Sequence, residues 1–353
     1  MVVLSMHKEV VPKVSVVIPA YNAMTYLPLT LASVLAQSFN DFEVIIVNDG
    51  SADHIESWFD RVVHDPRVKL VSQSNKGLSG ARNTGIRHAQ GRYIAFLDAD
   101  DVWEPEKLEK QVHVLDLDEH VGLVYTWVAY IDEQGLPTGR IQKNDAEGMI
   151  WPALVQKNVV ECGSVALVRR ECFDAAGFFN EDLRAVEDLD MWLRIAEFYE
   201  FRVIKEPLVY YRQHTASLSR QWSIMETSFR QVLDQAFASA SPDQLKLKAR
   251  SYALAYLCVA WKPIQHECRD YGESMRLLVR AIRYDAAIMF TSNFWRLCLA
   301  LICIRCLGNA GYLRFVSVMY AFRSKVFGKR TRTLAAMLIP KMFDVSELTL
   351  DTH

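Results

Sequence analysis

The first hundred residues alternate two kinds of segment, and this alternation constrains the fold more than any other feature. Val14–Ile18, Phe42–Val47, Val68–Val71 and Tyr93–Leu97 are short apolar runs, rich in β-branched and aromatic residues. Runs of this length, bounded by polar turn residues, read as buried strands. Between them the apolar residues recur at helical spacing, over Thr25–Gln37, Ala52–Val63, Ser79–Gln90 and Pro105–Leu117. Strands alternating with helices predict an α/β fold with a mostly parallel sheet covered on both faces. In such sheets ligands bind beyond the carboxyl ends of the strands. Each predicted strand here is followed by a polar cluster. The four clusters are Pro19-Ala20-Tyr21-Asn22, Asn48-Asp49-Gly50-Ser51, Asn75-Lys76-Gly77 and Asp98-Ala99-Asp100-Asp101. Placed at one edge of one sheet, they make one cleft.

Further on, Val121–Ile131 and Ser164–Val168 read as strands and Phe201–Ile204 as a short one. Glu187–Tyr199 reads as an amphipathic helix with Leu189, Trp192, Leu193 and Ala196 on one face. From about Trp222 the strand signal stops. Helical periodicity runs through Ile224–Ala238, Gln244–Trp261, Ser274–Tyr284 and Phe294–Phe322. The expected organisation is an α/β domain over 12–220 and a separate helical region over 221–353. A chain of 353 residues with 51% apolar composition can bury two such units. Its net charge of -2 gives no basic field for nucleic acid.

The seven cysteines are odd in number and irregularly spaced, and Cys303 and Cys306 alone stand at CxxC spacing, with no second such pair to complete a four-cysteine site. That argues against a zinc site or a disulfide framework and for reduced core thiols in a cytoplasmic protein. The opening residues hold no apolar stretch of signal-peptide length. Val121–Ile131 and Leu297–Ile304 fall short of the roughly 20 residues a bilayer span needs.

Several clusters point to particular chemistry. Two carboxylates at a strand end, Asp98 and Asp100, suit a hard divalent cation such as Mn²⁺ or Mg²⁺. A cation there would neutralise the charge growing on a departing diphosphate. On its own the tripeptide is a common acidic turn, and its weight comes from its place after YIAFL. Asp49, beside a Gly50 that permits a tight turn, is placed to accept hydrogen bonds from a base or ribose; an ordinary Asx turn has the same sequence. In Asn75–Gly85, Ser79 is the expected helix cap. Arg82 and Asn83 lie in the first turns, where a helix favours anions.

The run VSVVIPAYN, then VNDGS, NKGLSGARNTG and FLDADD, in this order and spacing, closely resembles the GT-A fold glycosyltransferases of family 2. So do Glu187-Asp188-Leu189-Asp190 followed by Trp192-Leu193-Arg194, and Tyr211-Arg212-Gln213-His214 followed by Ser217 and Ser219. The resemblance covers about residues 12–220. It implies a GT-A (Rossmann-like) mixed sheet and transfer of a sugar, with inversion, from a nucleotide-diphosphate sugar. The acceptor would be a hydroxyl of a glycan or lipid-linked saccharide in cell-surface polysaccharide synthesis. It also implies roles. Tyr21 would stack on the nucleobase, with Pro19, Ala20 and Asn22 lining its pocket, and Asp49 would hydrogen-bond the base. Arg82 would line that pocket rather than bind an anion, and Lys76, Gly77 and Ala99 join the donor-binding set. Asp98 would contact ribose or metal, Asp100 the metal, and His214 the metal or diphosphate. Asp188 would be the general base, with Glu187 the second choice.

The chemistry agrees. A sugar hydroxyl attacks only as its proton is taken. Like-charge repulsion between Glu187 and Asp188 raises their pKa values, whereas a helix N-terminus lowers them. Asn48 departs from the family, which often has a second acid there. Trp127, Tyr130 and Trp151 suit sugar stacking, although core packing is the favoured reading. Two alternatives stay open: transfer to a polyprenyl phosphate, which needs no base, and a non-catalytic scaffold that binds sugar nucleotides.

The tail has its own pattern. Phe294–Phe322 is apolar, interrupted by Arg296, Arg305 and Arg314, and Arg323, Lys325, Lys329, Arg330 and Arg332 follow. Apolar helices beside a basic cluster predict a peripheral membrane contact through 294–332, on the cytoplasmic face of the inner membrane; a solvated basic end is the plainer alternative.

Overall fold

The computed structural model describes residues 11–213, 221–265 and 270–327. Among them one mixed sheet contains nine strands: β1 (Val14–Ala20), β2 (Phe42–Asp49), β3 (Val68–Gln73), β4 (Tyr93–Phe96), β5 (Val102–Trp103), β6 (Val121–Ile131), β7 (Pro137–Gln142), β8 (Leu167–Arg169) and β9 (Glu200–Arg212). The order is β3-β2-β1-β4-β8-β6-β9-β5, with β7 paired to β6. The first four strands are parallel. β8 runs antiparallel between β4 and β6, and β9 is parallel to β6.

Every residue of β1 and β2 is buried, as expected of central strands covered on both faces. Pro19 lies just beyond the β1–β4 ladder, whose last pair is Val17 with Phe96. A strand tolerates a residue without an N–H at such a place. The covering helices are α1 (Leu27–Leu35), α2 (Ile55–Val62), α3 (Gly77–His88) and α4 (Lys107–Leu117). α3 lies so close to β1 that a Cβ on Gly85 would come within 2.2 Å of Val17 Cγ1. Gly85→Ala should therefore cost about 1–3 kcal/mol of stability by overpacking. Thermal unfolding measures this; an unchanged Tm would contradict the contact.

Three expectations need correction. α3 begins at Gly77, not Ser79, and Lys76 holds the cap position without a side-chain bond. Ser79 is buried inside the first turn, so it does not cap. β9 extends for thirteen residues, well past Ile204. Its register against β6 shifts around Pro207, which broke the apolar pattern. β7 was not expected, because it is a mostly exposed edge without an apolar face.

Short helices α5 (Trp151–Leu154) and α6 (Glu171–Ala176) precede α7 (Glu187–Ile195). The C-terminal helices are α8 (Trp222–Ala238), α9 (Pro242–Leu245), α10 (Lys248–Val259), α11 (Lys262–Gln265), α12 (Tyr271–Tyr284) and α13 (Ser292–Phe327). Val232, Leu233 and Phe237 of α8, Tyr252 of α10 and Leu277 of α12 belong to the same apolar core as the sheet. The Phe237 ring meets Trp151 edge-on at 5.7 Å, so Trp151 packs in that core. α13 is broken at Gly308, where φ is 65°. Among the described residues no helix is long and apolar enough to cross a membrane. Lys329, Arg330 and Arg332 lie outside the described residues.

Candidate active site

The polar clusters at the strand ends are tied to one another in the order the sheet sets. The Asn22 N–H donates to Ser51 Oγ at 3.0 Å, and the Ala52 N–H donates back to Asn22 Oδ1 at 2.8 Å. Asn22 adopts φ 49° to make this clasp; Asn is among the residues that tolerate such a φ. Asn48 Oδ1 accepts the Ser51 N–H at 3.0 Å, three residues on, and so closes the loop after β2. Asp49 points the other way: its Oδ1 accepts Gln73 Nε2 at 2.7 Å and the Lys76 N–H at 2.8 Å. Asp49 thus fixes the start of α3. Gly50 has φ 72°, and a Cβ there would lie 2.9 Å from the Asn75 nitrogen. Tyr21 stands at the rim, 57% exposed, while Pro19 and Ala20 are buried in β1. Lys76 and Gly77 are exposed.

Arg82 joins the strand-end clusters to α7. It is 1% exposed. Its Nη2 donates to Asp98 Oδ1 at 2.8 Å and its Nη1 to Glu187 Oε1 at 2.6 Å. The guanidinium also lies over the Phe179 ring, 5.4 Å from its centroid. A Cβ on Gly163 would come within 2.7 Å of Nη2, so a larger residue there would displace the guanidinium. The neighbouring Asn83 clamps the chain leading to α7, exchanging hydrogen bonds with both the N–H and the carbonyl of Phe179. These side chains sit in the first turns of α3, as the sequence placed them. The guanidinium, however, is spent on two carboxylates of the protein.

α7 starts from Val186, a β-branched residue at φ 54°. Left-handed backbone at such a residue costs about 1–3 kcal/mol and persists only when its surroundings enforce it. Here it presents Glu187 and Asp188 at the head of the helix. The helix is anchored below by Trp192, whose ring packs against Phe96 and Phe179 at 6.4 and 6.2 Å. Burial, and then the charge of Glu187, push the Asp188 carboxyl up to about 7, against the opposing pull of Arg82 and the Leu189 N–H. That hydrogen bond to Oδ1 is 2.7 Å long. Oδ2 accepts Asn158 Nδ2 at 3.3 Å. Asn158 is itself held by the Val160 and Glu161 N–H groups on its Oδ1. No motif marks Asn158 in the sequence.

Asp98 is raised mainly by burial, offset by Arg82 and reinforced by Asp100. Its N–H donates to Ser164 Oγ, which in turn donates to Asp101 Oδ2 at 2.6 Å. Asp101 is fully buried and raised well above the usual carboxylate range by desolvation. It also accepts the Arg212 N–H, while Arg212 Nε bonds the Asp100 carbonyl at 2.9 Å. Asp101 thus ties the acidic turn to β9, a role its sequence position did not reveal. Ala99 is buried between the two aspartates.

Among the described residues no three His, Cys, Asp or Glu side chains are arranged to hold a metal by themselves. The donor set still fits Mg²⁺ or Mn²⁺. Asp98 and Asp100 supply hard oxygens in a setting with surplus negative charge, and such ions commonly take one or two carboxylates plus phosphate oxygens and water. His214 lies outside the described residues. Tyr130 donates to Glu161 Oε1 at 2.5 Å, under the Arg140 guanidinium. Trp127 donates Nε1 to the Asn144 carbonyl.

Comparison with known proteins gives this geometry a family. The mannosyltransferase PcManGT from Pyrobaculum calidifontis, solved in complex with GDP-Man and Mn²⁺, superposes with a TM-score of 0.56 at 20% identity, over 90% of this chain and 88% of that one. The fold is that of the GT-A glycosyltransferases. An uncharacterized glycosyltransferase of Rickettsia bellii is 33% identical over 190 residues, 52% of this chain and 26% of that one. The chain therefore spans about a quarter of that relative's length. TuaG of Bacillus subtilis, a putative teichuronic acid biosynthesis glycosyltransferase, is 32% identical over 188 residues, 52% of this chain and 72% of TuaG. Residues 15–177, the span holding the four strand-end clusters, match the model of Glycosyl transferase family 2. With that match and the agreement along most of TuaG, this chain belongs to glycosyl transferase family 2.

Proposed function

We propose that the protein is an inverting glycosyltransferase that moves a sugar from a nucleotide-diphosphate sugar to a hydroxyl of a glycan or lipid-linked saccharide, in cell-surface polysaccharide synthesis. The observation that carries this reading is Asp188, a carboxylate tuned to about 7 and linked through Glu187 and Arg82 to Asp98. A base near neutrality is what an alcohol acceptor needs, whereas a phosphate acceptor is already ionised. The names of relatives support the rest: PcManGT with GDP-Man and Mn²⁺, and TuaG with teichuronic acid biosynthesis. Tyr21 and Asp49 would face the nucleotide, with Asn22, Lys76 and Gly77 around it. Asp98 and Asp100 would hold a cation that neutralises the leaving diphosphate. Asp188 would accept the acceptor's proton from the side opposite the departing group.

A thermal-shift screen of UDP, GDP and their sugars, with and without Mn²⁺, tests the donor reading. Ligand at 100 times its Kd adds about 2.7 kcal/mol to native stability, so a clear rise in Tm is expected for one nucleotide and a larger one with Mn²⁺. No response to any of them would overturn it. Binding without turnover would favour the scaffold. Asn158 supplies a finer check. Its hydrogen bond stabilises the charged form of Asp188, so Asn158→Ala should move the acid limb of kcat to higher pH. A plain loss of activity with an unmoved limb would assign Asn158 a purely structural role.

A further inference from the structure

α13 has two apolar faces, and the fold uses one. Phe294, Leu297, Ala300, Leu301 and Ile304 are buried against the core. On the other side Trp295, Leu299 and Ile302 are 63%, 51% and 59% exposed. At about 100° per residue these three fall within about 60° of one another, opposite the buried face. Arg296 and Arg305 are exposed and project about 100° to one side and about 80° to the other of Trp295 by the same geometry. The apolar stripe is thus flanked by a guanidinium on each side. Phe290, just ahead of the helix, is 89% exposed.

Charge is segregated along the chain in the same place. Residues 286–343 contain no Asp or Glu and nine Lys or Arg, so this stretch holds +9 while the rest of a chain of net -2 holds -11. A second copy seated on this stripe would set arginine against arginine, with no acid in the segment to pair them. Anionic headgroups over an apolar interior complement it directly, since arginine flanks reach outward while aromatic and aliphatic side chains enter.

We propose that this face of α13 docks the protein on a bilayer containing anionic lipid, with Trp295, Leu299 and Ile302 in the interface and Arg296 and Arg305 on the headgroup phosphates. The proposal stands independently of the glycosyl-transfer reading. It is tested by floating the full chain with vesicles of phosphatidylcholine, alone or mixed with phosphatidylglycerol. Binding should require phosphatidylglycerol and weaken with salt. The triple variant Trp295→Ser, Leu299→Ser, Ile302→Ser should lose about tenfold or more of the binding, and Arg296→Ser with Arg305→Ser should weaken it and flatten its salt dependence. All five side chains are exposed, so the variants should keep the melting temperature and the nucleotide-induced shift of the parent. Three results would overturn the proposal. They are absence of binding to mixed vesicles, binding unchanged by the triple variant, and a parent dimer in light scattering that the triple variant converts to monomer.

Discussion

Asp188→Asn should lower kcat by about 10²–10⁴-fold, the usual worth of a positioned general base, while the nucleotide-induced rise in Tm persists. The pH profile of the parent carries the same signature. Burial and Glu187 hold Asp188 near 7, and only its deprotonated form accepts a proton. Activity should therefore climb through about pH 7 and fall away below it, and the Asn variant's residual rate should lack that limb. If the acceptor were a polyprenyl phosphate, the substitution would change kcat little. Glu187→Gln sorts the two acids. It removes the repulsion that raises Asp188, so it should shift the limb to lower pH without abolishing it, and an abolished rate would move the role of base to Glu187.

Arg82→Met should be the most damaging substitution for stability. The guanidinium is enclosed and bonds Glu187 and Asp98 at once. Methionine keeps much of the volume but leaves two carboxylates facing each other without a counter-charge. Breaking a buried pair from one side costs about 3–5 kcal/mol, and Asp98, partly open to solvent, places the effect toward the lower end. Chemical denaturation should show it as a lower midpoint at unchanged slope. Arg82 also opposes the upward shift of Asp188, so the acid limb should rise above 7 in whatever enzyme folds. Arg82→Lys should recover part of the stability, but its single ammonium lacks the fork that reaches both carboxylates. Equal stability of the Met variant and the parent would refute the bridging role.

How far the sequence foretold this depends on where each signal came from. β1 and β2 were plain because two-sided burial leaves an unbroken apolar run. β9 was half hidden because Lys205, Glu206 and Pro207 interrupt it, and β7 was invisible because an edge strand needs no apolar face. The acidic turn was legible from its place after a strand. Arg82 was not legible in its actual setting. Its partners Asp98 and Glu187 lie 16 and 105 residues away, and helix position and family resemblance pointed to a phosphate and a base pocket respectively. Asn158 gave no signal at all, since an amide that orients another side chain needs only a partner in space. Asp101 looked like one more acid in a turn until burial and the two hydrogen bonds its carboxylate accepts showed it as a brace.

α7 is gripped from two sides, by Phe96 and Phe179 of the α/β half on Trp192 and by the helical region, whose core is continuous with the sheet. The tail is therefore no detachable accessory. A recombinant chimera that grafts another relative's tail onto residues 1–220 would strip the outer support from the helix bearing Asp188.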